Sequence, residues 1–146
     1  MSQTKYKLPD DLKKQCLSLV QGYKRRVYIY HQRRNAIIYA SPAPPDGQPK
    51  GSMTGDNTAR KTEKLEKIED YFDTRAMRAV EQSLNTVGVD LVDESHRKRL
   101  MDAVWDSCIE GRNFIFEYRN LPIGKTNFYE RRREFLYKIA KLMDFL

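Results

Sequence analysis

The residues best suited to contact another molecule lie close together near the carboxyl end of the chain. Lys125, Thr126 and Asn127 combine a cation with two side chains that can hydrogen-bond to bases or phosphates. Arg131-Arg-Arg133 follows within two helical turns, too near a helix start to serve as partners of the helix C-terminus. This combination favours contact with a polyanion.

The helix that must present these residues is predicted by the apolar pattern from Phe128 onward. Steps of 7, 4 and 3 residues join Phe128, Phe135, Ile139 and Leu142, with Leu136 beside them, which is helical periodicity. On a helical wheel the opposite side carries Thr126, Glu130, Arg133 and Tyr137, flanked by Asn127 and Arg131. Before the helix, Pro122 restricts Leu121 to extended geometry, so a tight turn is expected. A shorter helix, this turn and the longer helix would form a helix-turn-helix, the geometry of many major-groove readers.

We therefore expect two groups of residues to bind duplex DNA. The group expected to face base edges is Thr126, Asn127, Glu130 and Arg131. The group expected to hold phosphates is Lys125, Tyr129, Arg132 and Arg133, with Arg112 and Arg119 from the shorter helix. The alternative interpretation is a C-terminal helical hairpin whose arginines are only a solvated face.

The same region resembles a known family. Leu121-Pro-Ile-Gly-Lys-Thr-Asn-Phe-Tyr-Glu-Arg-Arg-Arg-Glu-Phe-Leu-Tyr-Lys-Ile-Ala140 is similar to the C-terminal end of phage-encoded transcriptional regulators of the RinA and ArpU type. Those regulators are in turn similar to the fourth region of sigma factors. A looser likeness covers Gly55-Asp-Asn-Thr-Ala59 and the charged helix after it. The resemblance implies activation of late or structural phage genes through promoter DNA. RNA polymerase is a separate candidate, as a partner that the long helices would bind. Gly124 departs from the Ser or Thr cap that often opens sigma-like helices.

The whole chain is predicted to be all-α, with a long helical hairpin ahead of the helix-turn-helix domain. We predict a long basic helix in 1–40, a flexible Pro/Gly linker in 41–56, a second long helix in 57–90 and the DNA-binding domain in 94–146. The apolar face of the second helix is predicted to be Leu65, Ile68, Phe72, Ala76, Ala79 or Val80, and Leu84. The long helices should pack antiparallel, within one chain or between two chains of a homo-oligomer.

Charge is distributed unevenly along the chain. The formal net charge is +7, and basic ends flank an acidic middle, with 1–40 at +7, 41–111 at −4 and 112–146 at +4. The first helix carries Lys24-Arg-Arg26 and Arg33-Arg34 on its far side. These cations form either a second phosphate-contacting surface or a solvated flank.

Sites for other chemistry are not evident in the sequence. Cys16 and Cys108 fall at apolar helical positions and are expected to be small buried hydrophobes. His31 and His96 have no Cys or His at ligand spacing, so no metal site is expected. The sequence also has no Gly-rich phosphate loop, no Gly-x-Ser-x-Gly elbow and no carboxylate cluster in an apolar setting, so no cofactor and no enzymatic activity are expected. With neither a signal peptide nor a membrane-spanning run, we expect a protein of the bacterial cytoplasm. Two alternatives stay open: a DNA-packaging adaptor resembling a small terminase subunit, and a helical protein-interaction module.

Overall fold

The computed structural model describes residues 5–40, 54–110, 121 and 123–146, and regular secondary structure in these ranges is entirely α-helical. The helices are α1 (Asp10–Gln21), α2 (Tyr23–Ile38), α3 (Thr54–Glu69), α4 (Phe72–Asn85), α5 (Glu94–Glu110) and α6 (Lys125–Leu142). The all-α prediction is confirmed for this part of the chain. The predicted shorter helix of the motif, with Arg112 and Arg119, lies outside the described residues. So does most of the predicted linker, whose last residues, from Thr54, already belong to α3.

The first long helix is interrupted at Gly22, so the prediction of one continuous helix up to residue 40 is wrong. Gly22 has φ −88° and ψ 5°, and its amide donates to the carbonyl of Ser18 at 2.9 Å, which closes α1. Glycine has poor helix propensity because ordering its backbone costs the most conformational entropy. A break here is therefore inexpensive.

The second long helix is also interrupted, at Asp70 and Tyr71. Their amides donate to the carbonyls of Lys67 and Ile68, each at 3.1 Å, so one turn tightens to i→i+3 bonding. The tighter turn changes the register of the apolar face. Phe72, which the periodicity placed on that face, is 54% exposed, whereas Thr74 is fully buried.

The chain forms two compact units. One combines Met1–Tyr23 with Ala76–Leu146, and the other is Lys24–Arg75. The boundary between them falls just after the start of α2 and near the start of α4. We refer to them as the core unit and the hairpin unit.

The core unit is built around an apolar cluster. α1 packs against α5 and α6, and α5 packs against α6. Phe128 and Phe135 are the largest fully buried side chains. The cluster consists of Cys16, Leu19, Val20, Ala76, Ala79, Val80, Val87, Leu100, Ala103, Val104, Cys108, Leu121, Phe128, Phe135, Leu136, Ile139, Ala140 and Met143. Burial of both cysteines confirms their prediction as small hydrophobes.

The end of α6 departs from its predicted apolar face. Leu142 is 45% exposed, because the helix ends there and the chain turns. The amide of Phe145 donates to the carbonyl of Ala140 at 2.9 Å, and Asp144 takes a positive φ of 59°. This is a Schellman motif, in which Phe145 rather than Leu142 packs against the cluster.

The hairpin unit contains α2, α3 and the first turn of α4. The ammonium of Lys61 donates to the carbonyl of Ile38 at 3.2 Å, and Arg26 lies 3.5 Å from the carboxylate of Asp73. Along α2, the later residue Ile38 thus contacts the earlier residue Lys61 of the following segment, and the earlier residue Arg26 contacts the later residue Asp73. Because the order is reversed, the two segments run antiparallel within this unit.

Candidate nucleic-acid interface

The start of α6 presents an open helix N-terminus. Gly124 occupies the cap position with extended geometry, φ −80° and ψ 172°, and supplies no side-chain oxygen. By contrast, α5 is capped by Asp93, whose carboxylate accepts from the amide of Ser95 at 2.8 Å. Uncapped first-turn amides carry partial positive charge and attract anions.

The rotation of α6 is fixed by its buried aromatic residues. Phe128 and Phe135 are each 1% exposed, which anchors one side of the helix in the core unit. Several predicted contact residues are consequently exposed: Lys125, Thr126, Asn127, Glu130 and Arg133. Tyr129 is half-buried, with its ring edge-on to Phe128 at 5.3 Å. The structure thus gathers five of the predicted contacts on exposed positions of the first three turns.

Arg131 differs from its neighbours because its guanidinium is already bound within the chain. Its two terminal nitrogens donate to the two carboxylate oxygens of Asp90, both at 2.7 Å. Its Nε donates to the side-chain oxygen of Asn127 at 3.0 Å. Only 16% of the Arg131 side chain is exposed. This geometry argues against the predicted role of Arg131 in reading bases, since that role needs a free guanidinium.

The same ion pair changes the acidity of both partners. Hydrogen bonds from Arg131 lower the pKa of Asp90 to about 2. The bond to Asp90 in turn raises the pKa of Arg131 above its ordinary value. A bidentate arginine–carboxylate pair is the strongest of the common surface ion pairs, which is consistent with both shifts.

A second contact joins α6 to the connector 86–93, which lies between α4 and α5. Lys138 donates to the hydroxyl of Thr86 at 2.8 Å and lies 3.2 Å from the carboxylate of Glu134. Between α6 and the connector lies a cavity of about 320 Å³, lined by Tyr6, Thr86, Val87, Gly88, Val89, Asp90, Asn127, Glu130, Arg131, Glu134, Phe135 and Lys138. Both cations that line it are engaged, so the cavity does not offer an open anion site.

The connector owes its shape to Gly88. This residue has φ +74°, in the left-handed region that favours glycine, and the amide of Leu91 donates to its carbonyl at 3.0 Å. Arg97 of α5 also holds the segment, donating to the carbonyl of Asn85 at 2.6 Å. The turn thereby brings Asp90 opposite Arg131.

Arg132 does not face outward either. It is half-buried, its Nε is buried, and its guanidinium lies near the thiol of Cys108 in α5. Burial raises the pKa of the Cys108 thiol, and the nearby Arg132 acts in the opposite direction. Arg132 thus contributes to packing between α5 and α6, and its phosphate contact stays a prediction.

Sequence reasoning missed Asp90, Thr86 and Lys138 as part of this region. Asp90 is 41 residues from Arg131 and Thr86 is 52 from Lys138, so no local spacing links them. The one available signal was Gly88, because a glycine after an amphipathic helix marks a turn that can return the chain to the protein surface.

The described ranges contain neither a metal site nor a membrane-spanning helix. No group of three His, Cys, Asp or Glu side chains there is placed to hold a metal ion. Nor is any of these helices long and apolar enough to cross a bilayer.

Comparison of the chain with protein-family models, curated proteins and solved structures finds no match.

Proposed function

We propose that this protein binds duplex DNA through the amino-terminal end of α6 and regulates transcription of phage or prophage genes. The observation that carries the proposal is the composition of the exposed start of α6. Lys125, Thr126 and Asn127 occupy its uncapped first turn, and Arg133 is exposed two turns later. A helix N-terminus with such side chains offers both backbone and side-chain donors to a polyanion.

In this proposal α6 is the recognition helix of a helix-turn-helix, and the hairpin unit is an accessory element. The regulatory part is supported by the resemblance of 121–140 to phage regulators. Thr126, Asn127 and Glu130 face base edges, whereas Lys125 and Arg133 hold phosphates. Arg131 has a positioning role, since its bond to Asn127 orients that amide.

The proposal is tested by measuring DNA affinity over a range of salt concentrations. Bound duplexes are first selected from fragments of phage and host DNA, and affinity is then followed by fluorescence anisotropy. Lys125→Gln and Arg133→Gln should each lower the slope of log affinity against log salt by about 0.9, the value for one phosphate contact. Thr126→Ala should reduce the difference in binding free energy between the preferred base pair and the others at one position by about 1–3 kcal/mol.

Lys141→Gln is the matched control, because Lys141 is exposed in the last turn of the same helix. It changes the net charge equally but lies at the opposite end of α6. Equal losses for Lys125→Gln and Lys141→Gln would contradict a localised interface. If the wild-type chain shows no salt-dependent duplex binding, the proposal fails and a protein-interaction module becomes the better hypothesis.

A further inference from the structure

The outer face of α2 carries an exposed stripe of polar and aromatic side chains. We define the α2 stripe as Lys24, Tyr28, Gln32, Asn35 and Tyr39, which follow one another at steps of 4, 4, 3 and 4 residues. All five are exposed. Tyr39 lies just beyond the helix end, but its amide donates to the carbonyl of Asn35 at 2.9 Å and continues the helical pattern. The stripe is therefore one continuous face.

This face points away from the rest of the hairpin unit. Arg26 and Arg33 lie on the other side of α2 and share the carboxylate of Asp73, at 3.5 and 3.4 Å. At about 100° per residue they fall roughly opposite the stripe. The contacts that hold α2 in its unit thus leave the stripe uncovered within that unit.

The two tyrosines of the stripe are unusually exposed. Tyr28 is 65% and Tyr39 is 78% exposed. They are separated by 11 residues, which is about 16 Å along a helix, or about five nucleotides of stacked strand. Exposed aromatic rings at this separation are suited to stacking on unpaired bases.

The segment that carries the stripe is rich in cations and contains no carboxylate of its own. No Asp or Glu occurs between Asp11 and Asp46, and the flanking cations Arg25 and Arg34 are exposed. The lysines of α3 are different, because they interleave with Glu63, Glu66 and Glu69. A face with cations and no carboxylates fits a polyanionic partner rather than a basic one.

We infer that the α2 stripe binds single-stranded nucleic acid, with Tyr28 and Tyr39 stacking on bases and Lys24 and Arg25 holding phosphates. A duplex buries the base faces on which these rings would stack, so the aromatic exposure favours a single strand. The inference is independent of the proposed duplex site on α6, because the stripe belongs to the hairpin unit and shares no residue with that site.

The test measures binding of the full-length protein to a fluorescent oligothymidine and to a duplex of equal length. The double variant Tyr28→Ala/Tyr39→Ala should weaken oligothymidine binding about tenfold or more, since stacking is lost. Tyr28→Phe/Tyr39→Phe should retain the affinity because the rings remain. Lys24→Gln/Arg25→Gln should lower the salt slope by about 0.7 for each cation.

The controls are chosen from the same unit. Phe72→Ala removes an exposed ring that lies off the stripe, and Lys64→Gln/Lys67→Gln removes two exposed charges from α3. Both should leave oligothymidine binding unchanged, and circular dichroism should show that every variant remains helical. Equal losses in control and stripe variants would overturn the inference, as would full affinity in the double alanine variant.

Two further arms of the experiment distinguish a single strand from a duplex and from an anionic membrane. Lys125→Gln/Arg133→Gln on α6 should reduce duplex binding and leave oligothymidine binding intact, so the two proposals can fail separately. If duplex affinity depends on the stripe tyrosines as strongly as oligothymidine affinity, single-strand recognition is refuted. Stripe-dependent binding to vesicles of phosphatidylcholine and phosphatidylserine, without oligothymidine binding, would identify an anionic membrane surface and overturn it as well.

Discussion

Each of the two compact units is stabilised internally by different interactions. The core unit buries an apolar cluster from α1, α4, α5 and α6, with Phe128 and Phe135 at its centre. In the hairpin unit, the described residues that are buried are Ile68, Arg26 and Thr74. Contacts described between α2 and the following segment include the Lys61–Ile38 hydrogen bond and the ion pairs of Asp73 with Arg26 and Arg33. The core unit therefore relies on the hydrophobic effect, whereas the few buried positions of the hairpin unit include polar and charged groups whose dehydration is costly.

This difference bears on where binding surfaces can occur. Burial lowers the pKa of the Arg26 guanidinium, with Arg25 adding to that effect, while Asp73 opposes it. An element held by such contacts opens more readily than one held by an apolar core. Its outer face is free to carry exposed tyrosines and cations. The core unit instead anchors α6 through Phe128 and Phe135 and leaves the predicted contact residues of its first turns exposed.

The largest expected effect is loss of an aromatic ring from the core unit. Phe135→Ala should lower the free energy of unfolding by about 3–5 kcal/mol, because it leaves a cavity among buried neighbours. Leu142→Ala is the matched control from the same predicted face, and its cost should be under about 1 kcal/mol since Leu142 is half exposed. Urea denaturation measures both. Similar costs would show that α6 is not anchored by Phe135.

A smaller effect is expected when the ionic contact of the hairpin unit is removed. Asp73→Asn should destabilise this unit by about 1–3 kcal/mol, because Arg26 and Arg33 share that carboxylate. Hydrogen exchange should accelerate in α2 and α3 and stay unchanged in α6. Glu66→Gln, an exposed neutralisation on α3, is the control. Uniform acceleration along the chain would contradict a separate hairpin unit.

The turn that carries Asp90 is expected to be sensitive to a single methyl group. Gly88→Ala should cost about 1–2 kcal/mol, because φ is +74° and a Cβ atom would lie 3.1 Å from Cγ of Arg97. Gly124→Ser provides the comparison, since no atom lies within 4 Å of its Cβ position and a serine could cap α6. That change should raise thermal stability slightly. A neutral Gly88→Ala would show that the turn can adopt another conformation.

The smallest expected effect is the change with pH in the stability that the Asp90–Arg131 pair contributes. Because Arg131 lowers the pKa of Asp90 from 3.8 to about 2, the pair contributes stability above about pH 4. That contribution should be lost as the pH falls towards 2, and it should be below about 1 kcal/mol because Asp90 is exposed. The free energy of unfolding, measured between pH 5 and pH 2 because these pKa values set that range, should depend less on pH in Asp90→Asn than in the wild-type protein. An identical dependence would mean that the pair contributes nothing.

Local pattern predicted the helices and most of their buried faces. Cys16, Leu19, Phe128, Phe135 and Ile139 are all buried where the 3.6-residue periodicity placed them. The pattern failed where a helix ended or tightened, at Gly22, Tyr71 and Leu142. Periodicity assumes an uninterrupted helix, so each break changes which side chains face the core.

The sequence by itself determined that the chain is helical where it is described and that its cations gather on α2 and α6. Only the tertiary structure decided which of those cations stay available to a partner. The turn at Gly88 brings Asp90 to Arg131 from 41 positions away, while Lys125 and Arg133 stay exposed. The reason is physical: helix formation depends on neighbours three and four residues apart, whereas an ion pair depends on where the folded chain returns.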